Sequence, residues 1–391
     1  MSSTILKDKR IILGVTGSIA AVETIKLARE LIRHGAEVYP VMTHASTKII
    51  HPDSLWFATG NKPITELTGA TEHVSFCGKT KKQADLLLIC PSTANTISKI
   101  SHGIDDTAVT TFATTALGSK IPVIIVPAMH GSMYDHKILQ ENIKKCKKNN
   151  ILFVEPEIQG NKAKIPSNEK ILAKVFCEFS NKKLKGKKIL IIGGSTVEEI
   201  DDVRVLTNLS SGKTAISLCK NAFYHGAKVE LWYGQSFEKI PDFVPNKRFK
   251  SLNSLFNLLE QNPVDSFDYI ILCAALSDFI PEKKKGKISS KKYLKINFIT
   301  ASKFIKKLRE NTKDSIVVAF KLEENSKNLE KNSKDFLKSN NVDYVVANTL
   351  KGLENDDNEI WIYDKKGKFV HKKGTKDVLS NIILKSIVGK N

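Results

Sequence analysis

The sequence predicts two doubly wound α/β domains, each with a mostly parallel sheet covered by helices. Short apolar runs recur along the chain and alternate with stretches of helical periodicity, the pattern of strands buried on both faces. Several of these runs end on glycine or small hydroxyl residues, the composition that turns from strand to helix favour. The 391 residues exceed what one core usually organises, and the pattern breaks at "CEFSNKKLKGKK" (177–188), where charge accumulates. The expected domains are therefore 1–182 and 183–391.

In the first half, "RIILGVTG" reads as a strand ending on glycine. "SIAAVETIKLARELIRHG" has helical spacing and closes on glycine, and "AEVYPVMTHAS" is the next strand. "ADLLLICPST" is an apolar strand stopped by Pro91, "ANTISKISHG" opens a helix, and "IPVIIVPAM" is a further strand. In the second half, "KKILIIGGS" is a strand and "KTAISLCKNAFYHG" a helix. "AKVELWYG", "FDYIILCAALSD", "DSIVVAFKL" and "VDYVVANTL" are strands.

The formal net charge of +20 comes from lysines spread along the whole chain. Without an aromatic-studded basic module, zinc-finger spacing or basic zipper, it points to anionic small molecules rather than nucleic acid. The six cysteines show no CxxC spacing, and several lie in apolar runs, as buried reduced thiols do. No secretory pattern opens the sequence, and "IILGVTGSIAAV" is too short to span a bilayer. A cytoplasmic protein without a membrane partner is expected. "LTNLSSGKTAISL" (206–218) imitates a P-loop. The glycine such a loop needs five positions before Gly212 is Thr207, and no buried strand leads directly into it.

Ligands of open α/β sheets bind at the C-terminal ends of the strands, which selects the segments that matter. "GVTGSIAA" offers Gly17 and Ser18 between strand and helix, where backbone N–H groups suit a phosphate or serve turn geometry alone. Thr43 places a hydroxyl at the end of a strand. "CPSTANTISK" contributes Ser92, Thr93 and Asn95, one of which is expected to cap the following helix.

Together these segments resemble a known family. "GVTGSIAAVETIKLARELIRHGAEVYPVMTHAS", "HV" at 73–74, "ADLLLICPSTANTISKISHGIDD" and "VPAMHGSMY" resemble the flavin-binding cysteine decarboxylases. They are most similar to the phosphopantothenoylcysteine decarboxylase half of the bifunctional coenzyme A enzymes. "GGSTVEEIDDVRVLTNLSSGKTA", "AALSDF", "GKIS", "VAFKLEE" and "VDYVVAN" resemble the phosphopantothenate–cysteine ligase half. The resemblance covers nearly the whole chain in order. It implies a flavodoxin/Rossmann-like flavoprotein domain followed by a Rossmann-like ligase domain. It also implies FMN and Mg2+ as cofactors, and 4'-phosphopantothenate, cysteine and CTP as substrates. A homo-oligomer is implied, with trimeric flavin domains and dimeric ligase domains.

For the ligase half, the resemblance makes Ser210, Ser211 and Gly212 a turn that holds phosphate. Asn208 and Arg204 become the donors that stabilise an acyl-nucleotide intermediate, where charge gathers on phosphate and carboxylate oxygens. It places Ala274, Ala275 and Asp278 at the nucleotide, Lys287 in amide formation, and Phe320 against the base. Lys334 and Lys338 match a lysine pair of the family, although counting back from "DYVVAN" displaces them by two residues. Solvated surface charge is their other reading. "AFKLEE" departs from the bacterial "FAAE", which leaves ATP or GTP open beside CTP.

For the decarboxylase half, His73 matches the catalytic histidine and is read at an apolar strand edge. The bacterial Pro-x-Met-Asn becomes Pro127-Ala128-Met129-His130, so His130 takes the place of an asparagine that binds the substrate carboxylate. The loop that carries a cysteine in bacteria reads "EIQGNKAKIPSNEK" (157–170) and has none; Lys162, Lys164 or Cys77 could stand in. The compact loop and "PAMH" resemble the archaeal branch of the family. The alternatives are a ligase whose first half binds flavin only for structure, or a first half of flavin-prenyltransferase type. The attached ligase-like half argues against the latter.

Overall fold

The computed structural model describes residues 5–81, 83–289, 295–352 and 357–388. The chain forms two compact units, 1–179 and 180–391.

The first unit holds a parallel five-stranded sheet. Across the sheet the strands run Glu37–Met42, Arg10–Val15, Leu86–Ser92, Val123–Pro127 and Leu152–Phe153. The two inner strands Leu86–Ser92 and Val123–Pro127 are buried at every position, which is why they read as unbroken apolar runs. Pro91 does not stop its strand as expected: the strand runs through it to Ser92, and the register against Val123–Pro127 shifts there instead. The helix Thr24–Arg33 buries Leu27, Ala28 and Leu31 on one face, and Gly35 at φ 98° turns the chain into the next strand. The strand order reverses between Arg10–Val15 and Leu86–Ser92, so the crevice opens beyond Val15 and Ser92.

The second unit holds an eight-stranded sheet. Its order is Asn246–Arg248, Lys228–Tyr233, Lys188–Gly193, Tyr269–Leu272, Ile316–Glu323, Tyr344–Thr349, Asp357–Asp364 and Phe369–Thr375. The first six strands are parallel and the last two antiparallel. The order reverses between Lys188–Gly193 and Tyr269–Leu272. Gly193 lets the helix Lys213–Tyr224 lie close on the sheet, because a Cβ there would stand 2.2 Å from that of Ala215. Two small antiparallel hairpins, Val197–Glu199 with Val205–Thr207 and Phe279–Pro281 with Phe298–Thr300, rise beyond this reversal point.

Candidate active sites

In the first unit the glycine turn, the Ser92 segment and the Pro127–His130 segment are laced together. Thr16 Oγ1 donates to the Pro91 carbonyl (2.9 Å) and accepts from Thr93 N–H (3.0 Å). Ser18 Oγ donates to the Ala128 carbonyl (3.0 Å) and caps the short helix Ile19–Glu23. Gly17 has no room for a side chain, since a Cβ would meet that of Ala45 at 2.6 Å. Thr16 does not stand out in the sequence, although its place in "GVTGS" could have marked it as the tie between the two loops.

Thr43 and Thr93 each cap a helix, of which His44–Thr47 is a single turn and Ala94–His102 is longer. Thr93 is thus the capping residue of its trio. Asn95 is exposed on the first turn of that helix, while Ser92 is wholly buried. Ser92 Oγ finds no hydrogen-bond partner among the described residues, and neither does the buried Nδ1 of His73. A buried hydroxyl without a partner is costly, so a polar ligand at this crevice would relieve it. His73 does not lie at a strand edge. It sits in the short helix Glu72–Cys77, entered through Thr71 at φ 50° and fixed by Glu72, which accepts from Thr68 N–H (3.0 Å).

His130 caps the helix Gly131–Asp135: its Nδ1 accepts from Ser132 N–H (3.4 Å). Nδ1 also lies 2.8 Å from Ser132 Oγ; in the tautomer in which Nδ1 accepts from Ser132, Nε2–H is a donor as an asparagine amide would be. The segment that replaces the cysteine loop forms a hairpin, Glu157–Gln159 with Lys162–Lys164, and adds His130 as its third strand. Lys162 lies directly opposite His130 in register, and both are exposed. Gly131 makes this close approach feasible; its N–H donates to the Asn161 carbonyl (2.7 Å), which a Cβ would strike at 2.6 Å. Lys164 instead donates to Gln159 Oε1 (2.6 Å). Cys77 is fully buried among apolar residues, and burial pushes its thiol up to about 12. It is unsuited to donate a proton at neutral pH. We expect iodoacetamide to spare Cys77 in the native protein and to label it only after unfolding, as read by peptide mass.

In the second unit the segments following the reversal point converge. Asn208 Nδ2 donates to the Leu276 carbonyl (2.9 Å), joining the "TNLSSG" turn to the "AALSD" strand end. Thr196 Oγ1 and Ser277 Oγ lie 2.7 Å apart, and Ala275 N–H donates to the Gly194 carbonyl (2.8 Å). Asp278 is exposed and pairs with Lys303 (2.5 Å). Arg204 is half-buried; its Nη1 donates to Asp201 (2.6 Å) and to the Ile288 carbonyl (3.2 Å), which sets it beside the loop that carries the exposed Lys287.

The turn Ser210–Ser211–Gly212 opens the helix Lys213–Tyr224, whose Gly212 cap offers no side chain to the first N–H groups. Lys213 N–H donates to Ser211 Oγ (3.4 Å), and a helix start of this kind suits an anion. Ser236 Oγ donates to the Ser211 carbonyl (2.7 Å) and lies 2.6 Å from Tyr233 OH. Gly212 adopts φ 76°, and a Cβ would stand 2.1 Å from both of those oxygens. Gly212→Ala is expected to cost at least about 2 kcal/mol and to lower the melting temperature of the ligase unit by roughly 4–8 °C, measured by calorimetry.

Phe320 is half-buried on the strand Ile316–Glu323, farther along the same sheet. Lys334 and Lys338 lie exposed on the helix Leu329–Ser339, and Lys334 pairs with Glu330 (2.6 Å). They are not drawn into the cluster around Asn208.

Two open α/β sheets, each with polar side chains beyond its reversal point, have the architecture of flavin- and nucleotide-binding proteins. The family model described as Flavoprotein matches residues 1–180, and that described as DNA/pantothenate metabolism flavoprotein C-terminal domain matches residues 184–390. The coenzyme A biosynthesis bifunctional protein CoaBC of Thermococcus kodakarensis is 43% identical over 91% of this chain and 89% of its own length. Its counterpart from Methanocaldococcus jannaschii is 39% identical over 92% of this chain and 88% of its own. A crystal structure of the C-terminal domain of a CoaBC protein is 28% identical, with a TM-score of 0.45, covering 53% of this chain and 97% of that one. The chain belongs to the family of coenzyme A biosynthesis bifunctional proteins. It is an enzyme with a ligase activity and an FMN-dependent decarboxylase activity.

Proposed function

We propose that residues 183–391 join cysteine to 4'-phosphopantothenate at the expense of CTP, and that residues 1–182 decarboxylate the product to 4'-phosphopantetheine. The main support is that the Ser18 turn is tied to Ala128 in the first unit and the Asn208 turn to Leu276 in the second, each beyond the reversal point of its sheet.

In ligation, the pantothenate carboxylate attacks the α-phosphorus of CTP and pyrophosphate leaves. The cysteine amine then attacks the acyl carbon and CMP leaves. Ser210, Ser211 and the Gly212 turn hold phosphate oxygens through backbone N–H groups at the helix start. Asn208 and Arg204 stabilise charge on the acyl phosphate, and Lys287 stabilises the departing nucleotide as the amide forms. Ala274 and Ala275 leave space for the nucleotide, Asp278 lies at its edge, and Phe320, Lys334 and Lys338 complete the base and phosphate contacts. Among the described residues no group of three or more His, Cys, Asp or Glu could hold a metal ion. Mg2+ is proposed to arrive on the triphosphate, as this ion commonly does.

In the first unit, the Gly17 turn and the partnerless Ser92 hydroxyl fit a phosphorylated cofactor. Bound FMN would supply the two-electron couple needed to oxidise the cysteine thiol side and to reduce the decarboxylated product. Ser18, Thr43, Thr93 and Asn95 line the cofactor crevice. His73 manages the proton of the reacting thiol side, and His130 Nε2–H holds the carboxylate. Lys162, opposite His130, is the proton donor proposed for the last step.

The purified chain should be yellow with FMN absorption, release pyrophosphate and CMP with CTP, and evolve carbon dioxide. Absence of bound flavin colour even after FMN addition would defeat the first-half reading. Flavin without carbon dioxide release would reduce it to a structural flavin domain, and faster turnover with ATP would displace CTP. A homo-oligomer, trimeric through the flavin unit and dimeric through the ligase unit, is proposed. Exposed Ile19 and Phe57 in one unit, and Phe279 and Ile299 in the other, support such contacts. A cytoplasmic location is proposed, supported by the absence of disulfides among the described cysteines. No helix among the described residues is long and apolar enough to cross a membrane.

A further inference from the structure

Asp201 is a fully buried carboxylate in a turn where Asp202 and Val203 beside it are exposed. Its Oδ1 accepts from Val203 N–H (2.8 Å) and Arg204 N–H (2.6 Å). Its Oδ2 accepts from Ile288 N–H (3.0 Å) and from the Arg204 guanidinium (2.6 Å). Burial alone would raise this carboxyl, but these donors outweigh it and hold the group well below the usual carboxylate range. An ionised carboxylate has about four acceptor sites, and all are engaged here, so Asp201 is neither a free base nor a free metal ligand.

The bonds join two segments that lack regular structure of their own. One is the turn 200–204, between the hairpin strands Val197–Glu199 and Val205–Thr207. The other is the loop that bears Lys287. Lys287 is flanked on both sides: Gly286 N–H donates to Asp202 Oδ2 (2.9 Å) and Ile288 N–H to Asp201. Arg204 also reaches the Ile288 carbonyl (3.2 Å). The Arg204 guanidinium is thus paired with one buried anion, and the backbone on both sides of Lys287 is fastened to the same turn.

We propose that Asp201 is the positioning residue of ligation, fixing Arg204 and Lys287 as one unit. The inference rests on the assignment of Arg204 and Lys287 to that reaction. A misplaced donor loses most of its effect in a transition state, so a residue that only positions can matter nearly as much as one that touches substrate.

The test is steady-state ligation by the full chain with CTP, phosphopantothenate and cysteine. Asp201→Asn is expected to lower kcat by about a hundredfold, with KM for CTP changed by less than about threefold. The double variant with Lys287→Gln should be at least about tenfold faster than the product of the two single losses, because both remove the same placement. Multiplying losses, or wild-type kcat for Asp201→Asn, would overturn the inference. Wild-type ligation by Lys287→Gln would instead overturn the site assignment beneath it. Carbon dioxide release and the thermal transition report folding. Should Asp201→Asn not fold, Ile288→Pro, read against Ile288→Ala, removes the loop's N–H donor and also restricts the backbone at Lys287. It is expected to lower kcat about tenfold at an unchanged melting temperature, and wild-type kcat there would overturn the inference equally.

Discussion

Asn208→Ala is expected to slow pyrophosphate and CMP release by about a hundredfold or more, while bound FMN and carbon dioxide release from added phosphopantothenoylcysteine stay unchanged. Asn208 holds the "TNLSSG" turn against the Leu276 carbonyl, and its amide is the one neutral donor assigned to the acyl phosphate. Alanine removes both the bond and the donor. Lys287→Gln should lose a comparable factor, concentrated in cysteine transfer, because glutamine keeps the reach but not the charge. The two are separated by trapping: Lys287→Gln accumulates the acyl nucleotide when cysteine is supplied, and Asn208→Ala does not. If Asn208→Ala turns over like the wild-type protein, the site has been placed wrongly.

The second large effect lies in the first unit. His73→Asn is expected to keep bound FMN and to stop carbon dioxide release, a loss of about two orders of magnitude or more for a group that manages protons. His130 should behave differently. In the tautomer whose Nδ1 accepts from Ser132, it works through Nε2–H, and His130→Asn supplies a comparable neutral donor. That variant should retain decarboxylation, whereas His130→Ala should be severely impaired because the carboxylate loses its donor. Lys162→Ala should release the enethiol, two mass units below the normal product, if the opposing lysine delivers the last proton. Normal product from Lys162→Ala would leave the hairpin as a cover and water as the donor.

Much of this was legible in the sequence because parallel sheets mark it plainly. "LLLIC" and "ILIIG" are buried on both faces, and only an inner strand needs an apolar side chain at every position over so short a run. The helix starts were legible for the same local reason, since Thr93 and Gly212 occupy capping positions. The segments that escaped are those whose form depends on distant partners. "FVHKKGT" is a strand because it pairs with "NEIWIYD", whose own run of Ile360, Trp361, Ile362 and Tyr363 favours a strand. The hairpin "EIQGNKAK" is set by its pairing with His130. His73 reads as a strand-edge residue because "EHVSFC" alone fits helix and strand alike. Asp201 was invisible for a similar reason. Nothing in "EEIDDVR" says which of two adjacent aspartates is buried; only the return of the chain at Ile288 decides it.

The last two antiparallel strands bear on what happens when many copies of the chain are crowded together. The eight-stranded sheet ends on one side in Asn246–Arg248, three residues long, and on the other in Phe369–Thr375. An open edge invites another chain to add a strand, and the defences against it are brevity and charge. The short edge has the first. The long edge has the second, with Lys372 and Lys373 exposed side by side and Gly374 just beyond them. Without that closing hairpin, the parallel edge at Tyr344–Thr349, "YVVANT", would be presented bare. The C-terminal strands therefore act as a stop against polymerisation through this edge of the sheet.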